Sequence, residues 1–219
     1  VILGCIATKF YKKNLKIIVS ISGLGFIFID RNLFGSLKRL MTCILYKFSL
    51  SNKKIKVIFQ NKTDRDFIKK ICNLSNSQCI LINGSGVNLE KFKPIKEINI
   101  KTEKIVLLPA RIVKSKGIYE FIQSAKKLKG RAKFIICGDF DFDAKDSISF
   151  EEIKVWVKNS TIDYIGYKTN MEEIIAQSSI VVLPSYREGL PKVLCEAAAC
   201  GIPVITTNVP GCRDAIINE

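Results

Sequence analysis

The chain has 219 residues, enough for one large domain or two small ones, and its 47% of hydrophobic residues excludes long disorder. It contains no histidine, which excludes Ser-His-Asp catalysis, Cys-His catalysis and zinc sites that need histidine. The net charge of +15 indicates either an anionic partner or only a lysine-rich composition, and the charge alone does not decide between them.

The first part of the chain alternates apolar runs with helical patterns, which predicts strands joined by helices. The predicted strands are residues 15–21, 56–61 and 79–84. Between the second and third strands, Thr63 or Asp64 is the predicted N-cap of a short helix.

Residues 34–51 form a predicted helix with an apolar stripe along one face. The stripe consists of Leu37, Leu40, Met41, Ile44, Leu45 and Phe48. Because Lys38, Arg39 and Lys47 lie beside it, two interpretations stay open: a helix that faces the core, the more common case, or one that lies against anionic lipid.

Residues 93–103 are charged, contain a proline and lack an amphipathic period, so they predict a linker between domains 1–92 and 104–219. The second domain has predicted strands at 104–110, 133–139, 162–167, 180–185 and 203–207, and predicted helices at 118–128, 150–158, 171–176 and 191–200. This alternation predicts an α/β fold with two tandem doubly wound, Rossmann-like domains. We expect both domains to be truncated, as parts of a longer protein.

Eight cysteines occur without a CxxC pair or a stretch that resembles a secretory signal, so no disulfide framework is expected. Cys43, Cys72, Cys79 and Cys137 lie in apolar patterns. They are predicted to be buried thiols in a reducing compartment.

Ligands of open α/β sheets bind beyond the carboxyl ends of the strands, which draws attention to Arg111 and Lys116. Both cations come before a helix that begins at Gly117, where free N–H groups and the helix dipole favour an anion such as a diphosphate. Taken alone, two solvated surface charges are the more common explanation.

A second loop, YREGLP, follows the strand at 180–185. Pro191 suits the first position of a helix, and the amides of Gly189 and Leu190 could face a phosphate or a sugar hydroxyl. Glu188 comes just before them, and it has the alternative role of complementing the helix dipole.

Glu196 lies in a helix that is apolar nearly all round. A buried carboxylate needs partners, and the two hydroxyls of a ribose diol are suitable donors. Lys192, one turn earlier, could pair with it instead, and spacing alone leaves the two alternatives even.

Several of these segments together resemble the GT-B glycosyltransferases, specifically the retaining enzymes of family 4. The residues that carry the resemblance are RIVKSKG, ICGD, YIGY and VLPSYREGLPKVLCEAAACGIPVITTNVPGCRD, in which Glu188 and Glu196 form the E-x7-E signature. GSGVNLEKFKP, SISGLGFIF and FQNKTDRDFI resemble the subgroup that extends polyprenyl-diphosphate-linked sugars in bacterial polysaccharide assembly.

The resemblance implies a role for each candidate residue. Arg111 and Lys116 would hold the donor diphosphate beside Gly117, Glu196 the ribose diol, and Glu188 the transferred sugar, with support from the amides of Gly189 and Leu190. Gly23 and Gly25 would lie on the acceptor side, where many family members have a histidine that this chain lacks.

The resemblance also implies an N-terminal acceptor domain and a C-terminal donor domain, no cofactor and no metal. The sequence DFD at Asp141–Asp143 is therefore interpreted as solvated rather than metal-binding. The expected partners are a nucleotide-diphosphate sugar, expected to be UDP-linked, and a saccharide or polyprenyl-diphosphate-linked saccharide acceptor.

We expect a cytoplasmic protein, with peripheral contact at the inner membrane face if the helix at 34–51 meets lipid. Two alternatives remain. One is a non-catalytic nucleotide-sugar-binding fragment, and the other is a nucleic-acid-binding protein, a hypothesis supported by the net charge alone. No nucleic acid is expected, because the chain lacks an aromatic-plus-basic module.

Overall fold

The computed structural model describes residues 1–10, 15–28, 32–95 and 103–216. Its helices are α1 (Ile2–Lys9), α2 (Leu33–Ser49), α3 (Lys62–Cys72), α4 (Ile118–Lys127), α5 (Phe150–Lys158), α6 (Met171–Gln177), α7 (Lys192–Ala199) and α8 (Cys212–Ala215). Its strands are β1 (Ile17–Ile21), β2 (Ile55–Phe59), β3 (Cys79–Leu81), β4 (Ile105–Pro109), β5 (Lys133–Cys137), β6 (Asp163–Tyr164), β7 (Ile180–Leu183) and β8 (Val204–Thr206).

The first sheet is parallel, with strand order β1-β2-β3. Both of its crossovers run in the same direction, so their right-handedness places α2 and α3 on one face. Helix α2 packs between α1 and α3 in that layer. The core beneath includes Ile55, Val57, Phe59 and Ile68, none of which is exposed.

The second sheet is also parallel, with strand order β6-β5-β4-β7-β8. The chain starts at the central strand β4, builds outward through β5 and β6, and then returns to the other side of β4 with β7 and β8. The reversal creates a topological switch point between β4 and β7, where open α/β sheets bind their ligands.

The alternation of strands and helices predicted for the second part is confirmed, because each predicted strand contains an observed one. Only the second sheet shows, among the described residues, the reversal that defines a doubly wound arrangement. The predicted linker at 93–103 lies mostly outside the described residues. The domain boundaries and the truncation therefore stay predictions.

Two helix starts differ from the predictions by local chemistry. Helix α3 is capped by Asn61, whose side-chain oxygen accepts the amide of Asp64 at 2.8 Å, rather than by Thr63 or Asp64. Pro191 occupies the N-cap of α7 and not its first helical position, with the extended ψ of 108° that precedes a helix.

The stripe on α2 faces away from the sheet, so the core-facing interpretation is wrong. Gly35 and Ser49 are the buried residues of α2, and Tyr46 packs against the first core. The apolar stripe lies on the opposite side of the helix and is exposed.

All eight cysteines are free. Cys72 and Cys137 are buried, as predicted, but Cys43 and Cys79 are only partly buried, so the prediction is wrong for those two. Burial raises the pKa of the Cys137 thiol, and in Cys72 it contributes most to a pKa raised to about 12. Both thiols are therefore protonated at neutral pH, in keeping with a structural role.

Candidate active site

Two loops meet at the switch point of the second sheet. One follows β4 and carries Arg111 and Lys116, and the other follows β7 and carries Ser185 and Glu188. The Lys116 ammonium donates to Glu188 Oε1, and Ser185 Oγ donates to the same oxygen at 2.6 Å. The structure thus brings together two of the predicted site residues that lie far apart in sequence.

This lysine–glutamate pair is largely shielded from water, with 20% of the Lys116 side chain and 12% of the Glu188 side chain exposed. Shielding matters because the attraction between opposite charges grows as the local dielectric falls. The pair places a fixed positive and a fixed negative charge side by side at the carboxyl end of the sheet.

Arg111 forms an ion pair that the sequence did not predict, and its predicted contact with a donor diphosphate stays a prediction. Its guanidinium pairs with Asp141, whose side chain is 24% exposed, so Asp141 is only partly solvated rather than free in solvent. The segment after β5 runs parallel to the segment after β4 and is joined to it by a bridge between Ile112 and Phe140, which brings Asp141 to Arg111. Asp143 is exposed, as predicted.

Asp146 also supports the site, and the sequence offered no signal for it. Its Oδ2 accepts the amide of Ser115 at 2.8 Å, next to Lys116. Burial raises the pKa of Asp146, but hydrogen bonds from Ser115 outweigh this and leave it below its usual range. The ionised carboxylate therefore holds the loop after β4 at neutral pH.

Two cavities adjoin the loop after β4. The junction cavity, of about 270 Å³, lies between the sheets and is lined by Ser22, Gly23 and Gly25 opposite Lys116 and Glu188. The predicted acceptor-side glycines therefore face the predicted catalytic pair.

The sheet-edge cavity, of about 450 Å³, is more apolar and belongs to the second sheet alone. Its lining includes Cys137, Tyr167, Val193 and Glu196. Arg111 lines both cavities, so its guanidinium lies where a molecule spanning the two would pass.

Glu196 satisfies the geometry of both alternatives left open by the sequence. Its Oε1 lies 3.0 Å from Lys192 Nζ, one helical turn away, and the residue is 9% exposed. It also lines the sheet-edge cavity. The ion pair and a ligand contact are therefore compatible.

Three glycines allow the backbone of the site to pack tightly. A Cβ on Gly189 would overlap the carbonyl of Ser22, and one on Gly23 would lie 3.4 Å from Gly189 N. Gly117, with φ of +75°, packs against Pro184. The approaches at Gly23 and Gly189 bring the first sheet directly against the Glu188 loop, and the one at Gly117 packs the start of α4 against the end of β7.

Gly117 and Leu190 lie outside the linings of the two described cavities. Gly117 caps α4 with a left-handed conformation, and the Leu190 side chain packs beside Gly84. Their predicted contacts with a ligand stay predictions.

Solved structures of known proteins share this fold. Anabaena HepE, in complex with UDP and glucose, superposes with a TM-score of 0.76 at 15% identity, over 99% of this chain and 59% of that one. Sucrose-phosphate synthase of Thermosynechococcus elongatus superposes with a TM-score of 0.77 at 22% identity, over 96% and 54%. These likenesses show the fold, which is of the GT-B type.

Sequence comparison then shows the family. A family model described as glycosyl transferases group 1 matches residues 90–219, and the chain belongs to that family. It is 32% identical over 226 residues to N,N'-diacetylbacillosaminyl-diphospho-undecaprenol alpha-1,3-N-acetylgalactosaminyltransferase of Campylobacter jejuni, covering 98% of this chain. The chain spans 58% of the length of that relative.

A second relative is the capsular polysaccharide biosynthesis glycosyltransferase CapM of Staphylococcus aureus, 29% identical over 67% of this chain and 42% of CapM. The family resemblance inferred from the motifs is thereby confirmed.

Among the described residues, no helix is long and apolar enough to cross a membrane. Within the same residues, no three acidic, cysteine or histidine side chains cluster as metal ligands would.

Proposed function

We propose that the protein is a retaining glycosyltransferase that moves a hexosyl group from a UDP-linked sugar to a lipid-linked saccharide in cell-surface polysaccharide synthesis. The observation that carries the proposal is the shielded Lys116–Glu188 pair at the switch point, which lines the junction cavity. The sheet-edge cavity adjoins it through Arg111, which lines both cavities. The names of the relatives support the substrate class, since an Escherichia coli relative is a UDP-Gal:alpha-D-GlcNAc-diphosphoundecaprenol alpha-1,3-galactosyltransferase.

In this proposal, residues 104–219 bind the donor and residues 1–92 face the acceptor. The nucleotide occupies the sheet-edge cavity with its ribose against Glu196, and its diphosphate lies beside Arg111 and Lys116. The transferred sugar lies against Glu188 in the junction cavity, with the acceptor near Gly23 and Gly25. The two cavities share Arg111, which is consistent with a donor that spans both.

The chemistry needs stabilisation of the charge that develops on the departing diphosphate. The bond between the sugar C1 and the diphosphate oxygen breaks, and a new bond forms between C1 and the acceptor oxygen on the same face. The acceptor proton passes to the leaving diphosphate. Preorganised cations supply the main electrostatic stabilisation of such a transition state, and here Arg111 and Lys116 perform this task without a metal.

The experiment is transfer from a UDP-hexose to a polyprenyl-diphosphate-linked saccharide, with the anomeric configuration of the product determined by NMR. We expect an α-linked product from an α-linked donor and unchanged rates in EDTA. Inversion, or a requirement for a divalent cation, would contradict the mechanism. Tighter binding of nucleic acid than of UDP at physiological salt would contradict the function.

Glu196 and Lys192 give a prediction about donor binding. Glu196→Gln is expected to weaken UDP binding about tenfold, because hydrogen bonds to a charged group contribute about 1.5–3 kcal/mol. Lys192→Met is the matched control and should change the affinity by about twofold or less, since the Lys192 side chain is 55% exposed and ion pairs with a solvent-exposed partner contribute little. Isothermal titration with UDP measures both, and equal losses would assign Glu196 to the ion pair alone.

The proposal includes peripheral contact with an anionic bilayer through the stripe on α2. Eight apolar residues of this 17-residue helix are between 43% and 89% exposed. They are Leu33, Phe34, Leu37, Leu40, Met41, Ile44, Leu45 and Phe48. Because α1 and α3 flank α2 in its own layer, whatever covers the stripe lies outside that layer.

The charges around the stripe favour an anionic bilayer as its partner. At 3.6 residues per turn, Lys38 borders one edge of the stripe and Lys47 borders the other. Apolar side chains flanked by lysines match the interface of a membrane with anionic lipid. The placement also suits an acceptor whose lipid part lies in the bilayer.

Vesicle co-sedimentation tests this surface. We expect binding to phosphatidylglycerol vesicles that weakens with salt, and at least about a tenfold loss in Leu37→Ser/Ile44→Ser, because each buried apolar side chain contributes about 1.5–3 kcal/mol. Phe142→Ser/Val155→Ser is the matched control. It replaces two exposed apolar residues in the part of the chain that forms the second sheet, and this variant should bind the vesicles normally. A soluble dimer that dissociates in the stripe variant would contradict membrane docking.

A further inference from the structure

The loop that carries Glu188 is held from outside its own sheet. Its carboxylate is bound by Lys116 and Ser185, both of the second sheet. The residues on either side of it, Arg187 and Gly189, instead contact the start of α3, which follows β2 of the first sheet. Glu188 is thus bracketed by two bonds that cross between the sheets.

The contacts form one connected network. Asn61 Nδ2 donates to the carbonyl of Gly189 at 2.9 Å and also lies 3.1 Å from Asp64 Oδ2. The other oxygen of Asp64 pairs with the guanidinium of Arg187. The Asp64 side chain is 1% exposed and that of Arg187 is 18% exposed, so water replaces neither partner easily.

Helix capping explains only part of this arrangement. As the N-cap, Asn61 needs only its side-chain oxygen to accept the amide of Asp64, and an acidic residue in the first turn needs no buried partner. Capping does not account for the hydrogen bond from the side-chain amide of Asn61 to the carbonyl of Gly189. It also does not account for the buried ion pair between Asp64 and Arg187. Both contacts therefore have a role other than stabilising α3.

We propose that Asn61 and Asp64 are positioning residues that fix the Glu188 loop in its working geometry when the two sheets are together, an inference that rests on the proposed function. Arg187 lines the junction cavity beside Glu188, so the network reaches the wall of that cavity. Among the described residues, those that line the sheet-edge cavity all come from the part of the chain that forms the second sheet. Loss of the network should therefore impair transfer and leave nucleotide binding intact.

The test is Asp64→Asn, which keeps the shape of the side chain and removes its charge. We expect kcat to fall about 10- to 100-fold, because small displacements of a catalytic group are costly, while the Kd for UDP changes by about twofold or less. Asp66→Asn is the matched control: it lies on the same helix, pairs with Arg65 at the surface and should leave kcat unchanged. In a double-mutant cycle, Arg187→Met should add little to Asp64→Asn.

Amide hydrogen exchange measures the stability of the Glu188 loop independently of enzyme activity. The amide of Glu188 donates to the carbonyl of Pro210 at 3.2 Å, and we expect peptides covering 185–191 to exchange faster in Asp64→Asn than in Asp66→Asn. Unchanged exchange in a folded variant would overturn the positioning role, whatever the enzyme transfers. Faster exchange with no transfer by the unmodified protein would overturn the proposed function and leave the network in place.

If Asp64→Asn does not fold, Arg187→Met and Arg187→Lys carry the same test. Arg187→Met should accelerate exchange at 185–191, and Arg187→Lys should restore part of kcat because it returns a cation to Asp64. Equal losses of kcat and of UDP affinity in these variants would overturn the proposal, because the whole site would then have been disturbed.

Discussion

Replacing Glu188 with glutamine is expected to lower kcat for sugar transfer about 100- to 1000-fold, with folding preserved. Glutamine keeps the shape of the side chain but removes the charge that pairs with Lys116. Without that charge, the lysine loses its orientation, and in the proposed mechanism the transferred sugar loses a fixed acceptor for its hydroxyls. Lys116→Met should give a loss of similar size, because the departing diphosphate then lacks a preorganised cation.

The control for this experiment is another lysine–carboxylate pair of the second sheet. Lys133 and Asp163 lie 2.9 Å apart at an exposed position, where Lys133→Met should leave kcat within about twofold. The double variant Glu188→Gln/Lys116→Met should be little worse than either single one, since the two act as a unit. Normal turnover in both single variants would remove them from the active site.

Replacing Gly117 with alanine is expected to destabilise the protein by about 3 kcal/mol or more. Alanine at φ of +75° is strained by about 1–2 kcal/mol, and its Cβ would overlap the carbonyl of Pro184 and lie 2.6 Å from Pro184 Cγ. Relief of that overlap requires movement of the segment after β7, which costs about 1–3 kcal/mol more. Urea denaturation gives the free energy of unfolding.

Gly130→Ala is the control that separates backbone strain from steric crowding. The φ of Gly130, +79°, is similar to that of Gly117, but nothing lies within 4 Å of a Cβ placed on Gly130. Gly130→Ala should therefore cost only about 1–2 kcal/mol, the strain of the left-handed conformation alone. If Gly117→Ala and Gly130→Ala lower the free energy of unfolding equally, the contact between Gly117 and Pro184 is not tight. Since the segment after β7 leads into Ser185 and Glu188, Gly117→Ala should also lower kcat.

Much of the second sheet could be predicted from the chain alone. Buried parallel strands are short apolar runs, so β4, β5 and β7 stand out between amphipathic helices such as α4 and α5. The predicted bounds of α5 agree with the observed helix because Ser149 caps it and Glu152 completes a capping box. Local chemistry was sufficient in these places.

Other features depend on contacts between distant segments. The apolar stripe of α2 has the same periodicity whether it faces a core or a bilayer, so only its packing beside α1 and α3 shows that it is exposed. In the same way, Asp141 is one surface carboxylate among several until the loops after β4 and β5 bridge and bring it to Arg111. Periodicity and composition do not encode such pairings.

The sequence by itself determined the class of fold, the family and the candidate residues at the ends of β4 and β7, because strand patterns and the E-x7-E signature are local. Only the tertiary structure decided the partners of those residues. Lys116 and Glu188 meet through the strand order of the second sheet, and Asp64 meets Arg187 through the contact between the two sheets. Both depend on how distant segments pack, which no short stretch of sequence specifies.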